Sequence, residues 1–201
     1  MAAEMTDSRS TRDRILSAAL DAFAERGVEA TSLDSVAAAV GVRKQTLLYW
    51  FPSKEQLLFG VVDHAVADIG ARLSDAVLSS GPDLDARLRA VVDTTFRLGT
   101  TNPELLAVVR EIARLGPPAS TRLATAVGPL VDVASIGLAR RDGRPPDQER
   151  VRRILLAAGA RVVGMATEAE VRADLGLAPD LAWLRARRAE LLRDLTDSLG
   201  A

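Results

Sequence analysis

The chain has 201 residues, 48% of them hydrophobic and 26% charged, with a formal net charge of −1. That length suits one domain, or a small domain joined to a larger one, and the near-neutral charge excludes nucleic-acid binding driven by bulk basicity. With no cysteine and one histidine, His64, the chain excludes disulfides, thiolate metal sites and His-rich metal centres, so neither metal nor cofactor is expected.

No run of about 18 apolar residues offers a membrane span. Met1 to Asp13 is polar and lacks the apolar core of a secretory signal. The expectation is a soluble, cytoplasmic protein without a membrane partner.

Nearly every segment reads as helix, because alanine and leucine dominate and glycine and proline fall at segment ends. Residues 1–8 read as a loose arm. A first helix runs from about Ser10 to Arg26, with Ile15, Ala19 and Phe23 at i, i+4 and i+8 joined by Leu16 and Leu20. Gly27 ends it. A short second helix begins at Thr31 or Ser32, either of which can cap it. It buries Leu33, Val36, Ala37 and Val40 and stops at Gly41. A third spans about Lys44 to Trp50, and Pro52 breaks the chain. Ser53-Lys54-Glu55-Gln56 reads as a capped restart.

The fourth helix is long, about Lys54 to Leu78, with Leu58, Val62, Ala65, Ile69, Leu73 and Val77 as its stripe. Ser79-Ser80-Gly81-Pro82 ends it. A fifth covers about Leu84 to Gly99. A sixth opens at Asn102-Pro103-Glu104 and closes at Gly116-Pro117-Pro118. A seventh runs from Ser120 to Arg140, with a kink expected at Pro129. Arg141 to Asp147 is the clearest loop. An eighth helix spans Gln148 to Ala173 and a ninth Pro179 to Leu199, giving an all-α chain of about nine helices.

Gly41 to Lys54 stands out. It holds both lysines of the chain, together with Tyr49, Trp50 and Phe51, and it has no carboxylate. Glycine at 41 accepts the positive φ of a sharp turn, and small Ala37 lets the third helix approach the second, as in a helix-turn-helix. Val42 and Leu47 then point into the core, and Arg43, Lys44, Gln45, Thr46 and Tyr49 point outward. In such a motif the start of the second helix enters the major groove. There Arg or Lys suits guanine, Gln suits adenine, and Thr46 can meet a thymine methyl. Tyr49, Trp50 and Lys54 would lie beside the backbone. Spacing alone leaves a second reading open, since glycine-linked short helices also occur in proteins that never meet DNA and the aromatic side chains also suit a core.

Residues Thr11 to Leu58 resemble the N-terminal domain of the TetR family of bacterial transcriptional regulators. The resemblance rests on Arg14-Ile15-Leu16, Ala18-Ala19, Phe23 and Gly27; on Thr31-Ser32-Leu33, Val36-Ala37 and Gly41-Val42; and on Thr46-Leu47, Phe51-Pro52-Ser53-Lys54-Glu55 and Leu57, in order and at the family's spacing. It covers about a quarter of the chain. It implies a helix-turn-helix DNA-binding domain over 9–69 and a helical ligand-binding and dimerisation domain over 70–201. The implied DNA contacts are Thr31, Ser32, Arg43, Lys44, Gln45, Thr46, Tyr49, Trp50 and Lys54. Two positions depart from the pattern, the first being Arg43, which follows Gly-Val where the family often has a small residue. The family usually has tyrosine after the Thr-Leu pair, where this chain has Leu48, and Tyr49 lies about 100° further round the helix.

The resemblance further implies a dimeric repressor on a palindromic operator, released by a small and largely apolar ligand. An activator, or a regulator without ligand, fits the same fold. An all-helical carrier or enzyme fits poorly, because the chain has no thiol nucleophile, no metal cluster, a single histidine and no glycine-rich phosphate loop. A pocket is expected among the fourth to seventh helices, from His64, Val92, Thr95, Phe96, Leu106, Val109, Arg110, Val127 and Val131. Small residues Ala157 to Ala160 and Gly164, with the leucines of the ninth helix, point to a homodimer through helices eight and nine.

Overall fold

A computed structural model describes residues 10–139, 147–177 and 179–199. Among them are nine helices and no strand: α1 (Thr11–Ala30), α2 (Leu33–Val40), α3 (Lys44–Trp50), α4 (Lys54–Ser79), α5 (Leu84–Thr101), α6 (Pro103–Leu115), α7 (Ala119–Ala139), α8 (Gln148–Asp174) and α9 (Leu181–Leu199). The expected arm at 1–8 and the loop at 141–146 lie outside the described residues. No described helix is long and apolar enough to cross a membrane.

Short polar side chains set the helix starts. Ser10, Ser32, Ser53, Asp83 and Asp147 each accept a hydrogen bond from the backbone N–H three residues on. Each such cap contributes about 1 kcal/mol. The cap of α2 is therefore Ser32 rather than Thr31.

Three other expectations shift, and Pro129 lies within α7. Gly27 breaks the helical geometry with φ 79° and ψ 162°, yet the helix resumes to Ala30. α5 continues two residues past Gly99, and α7 runs through Pro129 to Ala139. α9 starts at Leu181, where the Asp180 carboxylate accepts from the Trp183 N–H at 2.7 Å.

The main core joins α1, α2, α3 and the first turns of α4. Ile15, Leu16, Ala19, Phe23, Val36, Leu47, Phe51, Leu57, Val61 and Val62 are all buried in it. Val108 and Ile112 of α6 and Ala119 of α7 belong to the same cluster. The three-helix head and the body are thus packed as one core, and α4 runs unbroken across the expected boundary at 69/70. Two glycines let α4 pack tightly. A Cβ on Gly60 would lie 2.6 Å from a ring carbon of Phe51, and one on Gly70 would lie 2.8 Å from a methyl of Leu130. A second cluster places Val92 of α5 against Leu191 and Leu195 of α9, with Phe96, Ile154, Ala158, Val162 and Met165 around them.

Candidate nucleic-acid interface

The turn between α2 and α3 is built by backbone chemistry. Gly41 sits in the left-handed region at φ 74° and ψ 30°. Its N–H donates to the Ala38 carbonyl at 3.1 Å, and the Val42 N–H donates to the Ala37 carbonyl at 3.0 Å. This paired arrangement satisfies the last carbonyls of α2 and turns the chain sharply. Arg14 adds a third bond, its guanidinium donating to the Val40 carbonyl at 2.8 Å. α1 thereby fixes the exit of α2.

α3 then divides into two faces. Leu47 is fully buried and Phe51, its C-cap, is 4% exposed, and both pack into the main core. Arg43, Lys44, Gln45, Tyr49 and Trp50 are exposed, whereas Thr46 and Leu48 are half-buried. Tyr49 is 79% exposed, and its ring meets Trp50 edge-on at 5.3 Å between centroids. Together the two rings form an exposed aromatic surface at the end of α3. Arg43 has no carboxylate partner among the described residues. Lys44 has one: its Nζ donates to Asp34 Oδ2 at 2.8 Å. Asp34 was not among the expected site residues, and its pairing leaves no local signal in the sequence.

Two of the expected contacts are engaged within the chain. Thr31 is 1% exposed, and its hydroxyl donates to the carbonyls of Ala22 at 3.1 Å and Gly27 at 2.8 Å. Its side chain fastens the end of α1 and does not reach the surface. Lys54 donates to the carbonyls of Glu29 at 2.9 Å and Thr31 at 3.1 Å. Its ammonium ties the start of α4 to the α1–α2 connection. Ser32 is exposed beside them and uses its hydroxyl oxygen to cap α2.

The residues expected to line a pocket do not converge. Val92 and Phe96 belong to the cluster with α9. Thr95 turns its hydroxyl back to the Val91 carbonyl at 2.8 Å, and His64 is exposed. Arg110 is drawn to Glu170 of α8 at 2.5 Å. Leu106, Val109, Val127 and Val131 are half-buried. A groove of about 540 Å³ opens instead between α4 and α5, where Arg72, Asp75, Thr94 and Arg97 face it.

The helix-turn-helix segment has known counterparts. Residues 15–61 match the family model described as bacterial regulatory proteins, tetR family. The HTH-type transcriptional regulator RutR of Escherichia coli K12 is 52% identical over 48 residues, 24% of this chain and 23% of RutR. The chain thus aligns with under a quarter of RutR's length. The HTH-type transcriptional repressor KstR of Mycolicibacterium smegmatis is 30% identical over 148 residues, 73% of this chain and 72% of KstR. Among solved structures, the fatty acid degradation regulator FadR of Bacillus halodurans superposes with a TM-score of 0.74 at 17% identity, covering 93% of this chain and 97% of FadR. At that identity the likeness is one of fold.

Proposed function

The chain belongs to the TetR family of bacterial transcriptional regulators, which bind DNA, and we propose that it is a dimeric repressor whose two α3 helices read a palindromic operator. The observation that carries this reading is the division of α3: Leu47 and Phe51 lock the helix into the core while Arg43, Lys44, Gln45 and Tyr49 stand in solvent at its other face. An anchored helix with free polar side chains can enter a major groove without rearrangement. Ser32, Thr46 and Trp50 flank this set as backbone contacts. With two copies, the reading helices would stand about 34–36 Å apart on one side of the duplex.

The dimer face is proposed on α8. Leu156, Ala157, Gly159, Ala160 and Gly164 are exposed there, and a Cβ on either glycine would meet nothing within 4 Å. Such a stripe suits a second helix laid closely across it. The contribution of α9 is smaller than its leucine count suggests, because Leu191 and Leu195 are buried against Val92 within the chain. The proposed effector is a small, largely apolar ligand held by the body.

The test is a gel shift with the chain's own upstream DNA. Arg43→Ala weakens the complex at an unchanged melting temperature under this reading. Wild-type protein that binds no sequence better than random DNA would overturn it.

A further inference from the structure

Asp34 places a carboxylate on the face that α3 presents, a surface meant to approach phosphates. A negative charge there lowers general DNA affinity, so its presence calls for a specific use. Its oxygen Oδ2 lies 2.8 Å from Lys44 Nζ, at the first residue of α3, and both side chains are open to solvent, 65% for Asp34 and 47% for Lys44. Among the described residues this is the ion pair that involves α3. Exposed pairs of this kind add little to stability, about 0–1 kcal/mol, so the pairing is a poor candidate for a structural strut.

Its geometry fits a different task. In the major groove a G·C pair shows the guanine O6 acceptor next to the cytosine N4–H donor. Those two atoms are hydrogen-bonded to each other, so they stand about 2.9 Å apart. An ammonium and a carboxylate oxygen 2.8 Å apart present the matching donor and acceptor at the same separation. Lys44 would donate to O6 while Asp34 accepts from N4–H, and the two protein groups would stay hydrogen-bonded to each other. An A·T pair shows N6–H and O4 there, with donor and acceptor exchanged between purine and pyrimidine. A pair fixed in one order then faces like against like at A·T and at C·G; at T·A those two groups match, but a third ammonium hydrogen of Lys44 that meets the N7 acceptor of guanine would there meet the thymine methyl.

We propose that Asp34 and Lys44 act as one unit that reads a single G·C base pair in each operator half-site, with Asp34 as a specificity-determining residue. This rests on the DNA-reading role of α3. It also gives Asp34 a second effect: by holding Lys44 it keeps one cation per subunit from neutralising phosphate. Loss of the carboxylate frees that cation. Non-specific binding then strengthens and becomes steeper in salt, by about 0.9 in log–log slope for each subunit.

The experiment selects bound sequences from random duplex DNA with the full-length wild type, Asp34→Ala, Asp34→Asn and Lys44→Met. The wild type is expected to fix one G·C pair per half-site, with a preference on the order of tenfold or more. Asp34→Ala and Lys44→Met should relax that same position and leave the others sharp. Asp34→Asn, whose amide can turn either its oxygen or its NH2 toward a base, should weaken the choice there without abolishing it. Unchanged selection by Asp34→Ala, or relaxation at different positions in the two variants, overturns the proposal while leaving α3 as the reading helix. A wild type that selects no sequence overturns both. Binding of the variants to random DNA shows that they are folded, and a salt slope in Asp34→Ala no steeper than in wild type also counts against the proposal.

Discussion

The carboxylate of Glu111, in the middle of α6, accepts a hydrogen bond at 3.1 Å from the backbone N–H of Val28, the residue that follows the break in α1. Val28 follows the non-helical Gly27, and a side chain 83 positions away offers its N–H an acceptor. Arg114 grips both carboxylate oxygens of Glu111, at 2.8 and 2.9 Å, and reaches Glu29 at 3.8 Å. The helix that carries part of the body is thus bonded directly to the end of the first helix of the head, apart from any connection through α4.

Replacing Glu111 by alanine leaves the Val28 N–H without its acceptor in a partly buried place. The expected cost is about 1–3 kcal/mol of stability. Glu111→Gln keeps an acceptor and should cost less. Urea denaturation of the three proteins checks the order, and equal midpoints for Glu111→Ala and wild type would show that water replaces the contact freely.

Two carboxyls at the α1–α6 interface should respond to acid in opposite directions. The Arg114 hydrogen bond, aided by the Val28 N–H, holds the Glu111 carboxyl below its ordinary value of 4.5, with burial opposing. The stability it lends is present above that value and is lost as pH falls through the lowered one. Burial, and then the charge of Glu104, push the Asp21 carboxyl above its ordinary 3.8. Its ionised form is disfavoured by folding, so the penalty is present above the raised value and fades as pH falls below it. Asp21→Asn is therefore expected to raise the melting temperature at pH 7 and to lose that gain near pH 3. Glu111→Gln should lower it at pH 7 and converge on wild type in acid. Calorimetry across that range checks both signs.

Tyr49 offers a test of the missing tyrosine at Leu48. The Tyr49 ring is open to solvent and Leu48 is half-buried, so each can be altered with little effect on folding. If the Tyr49 hydroxyl meets a phosphate, Tyr49→Phe should weaken operator binding by about 0.5–1.5 kcal/mol. Leu48→Tyr should strengthen it. Fluorescence anisotropy with labelled operator measures both, and a Tyr49→Phe protein that binds as wild type would leave that contact to other residues.

The proposed dimer face predicts that Leu156→Glu, at a side chain 57% exposed, yields a folded monomer. Sedimentation velocity at micromolar concentration should separate it from a dimeric wild type. An unchanged sedimentation coefficient for Leu156→Glu would move the interface elsewhere.

How far the sequence could be read depended on the range of each interaction. Ser32, Gly41 and Ser53 act within a few residues, and their capping and turning roles follow from the local string. The inward face of α3 follows from spacing as well, because Leu47 and Phe51 lie four apart. Helical periodicity marks a buried face without naming what covers it. Val92 and Phe96 carry the right pattern for a pocket wall, but α9 packs over them. Thr31 and Lys54 match the family string and look available, yet carbonyls brought near by the break in α1 engage both. Glu111 with Val28 and Lys44 with Asp34 are tertiary meetings between elements, and nothing near either residue in the chain foretells them.

The placement of the two lysines has a chemical consequence. Both side-chain amines sit at the head, one held by the Asp34 carboxylate and the other by two backbone carbonyls, while the remaining basic side chains outside His64 are arginines. Acylating reagents, and cellular acyl donors that act in the same way, therefore find their lysine targets only there. Lys44, the more open of the two, would lose its charge beside the groove it is proposed to read. A fluorophore coupled to a lysine amine would report from the same spot, with α4 beyond its first residue and all of α5 to α9 left unlabelled at their side chains.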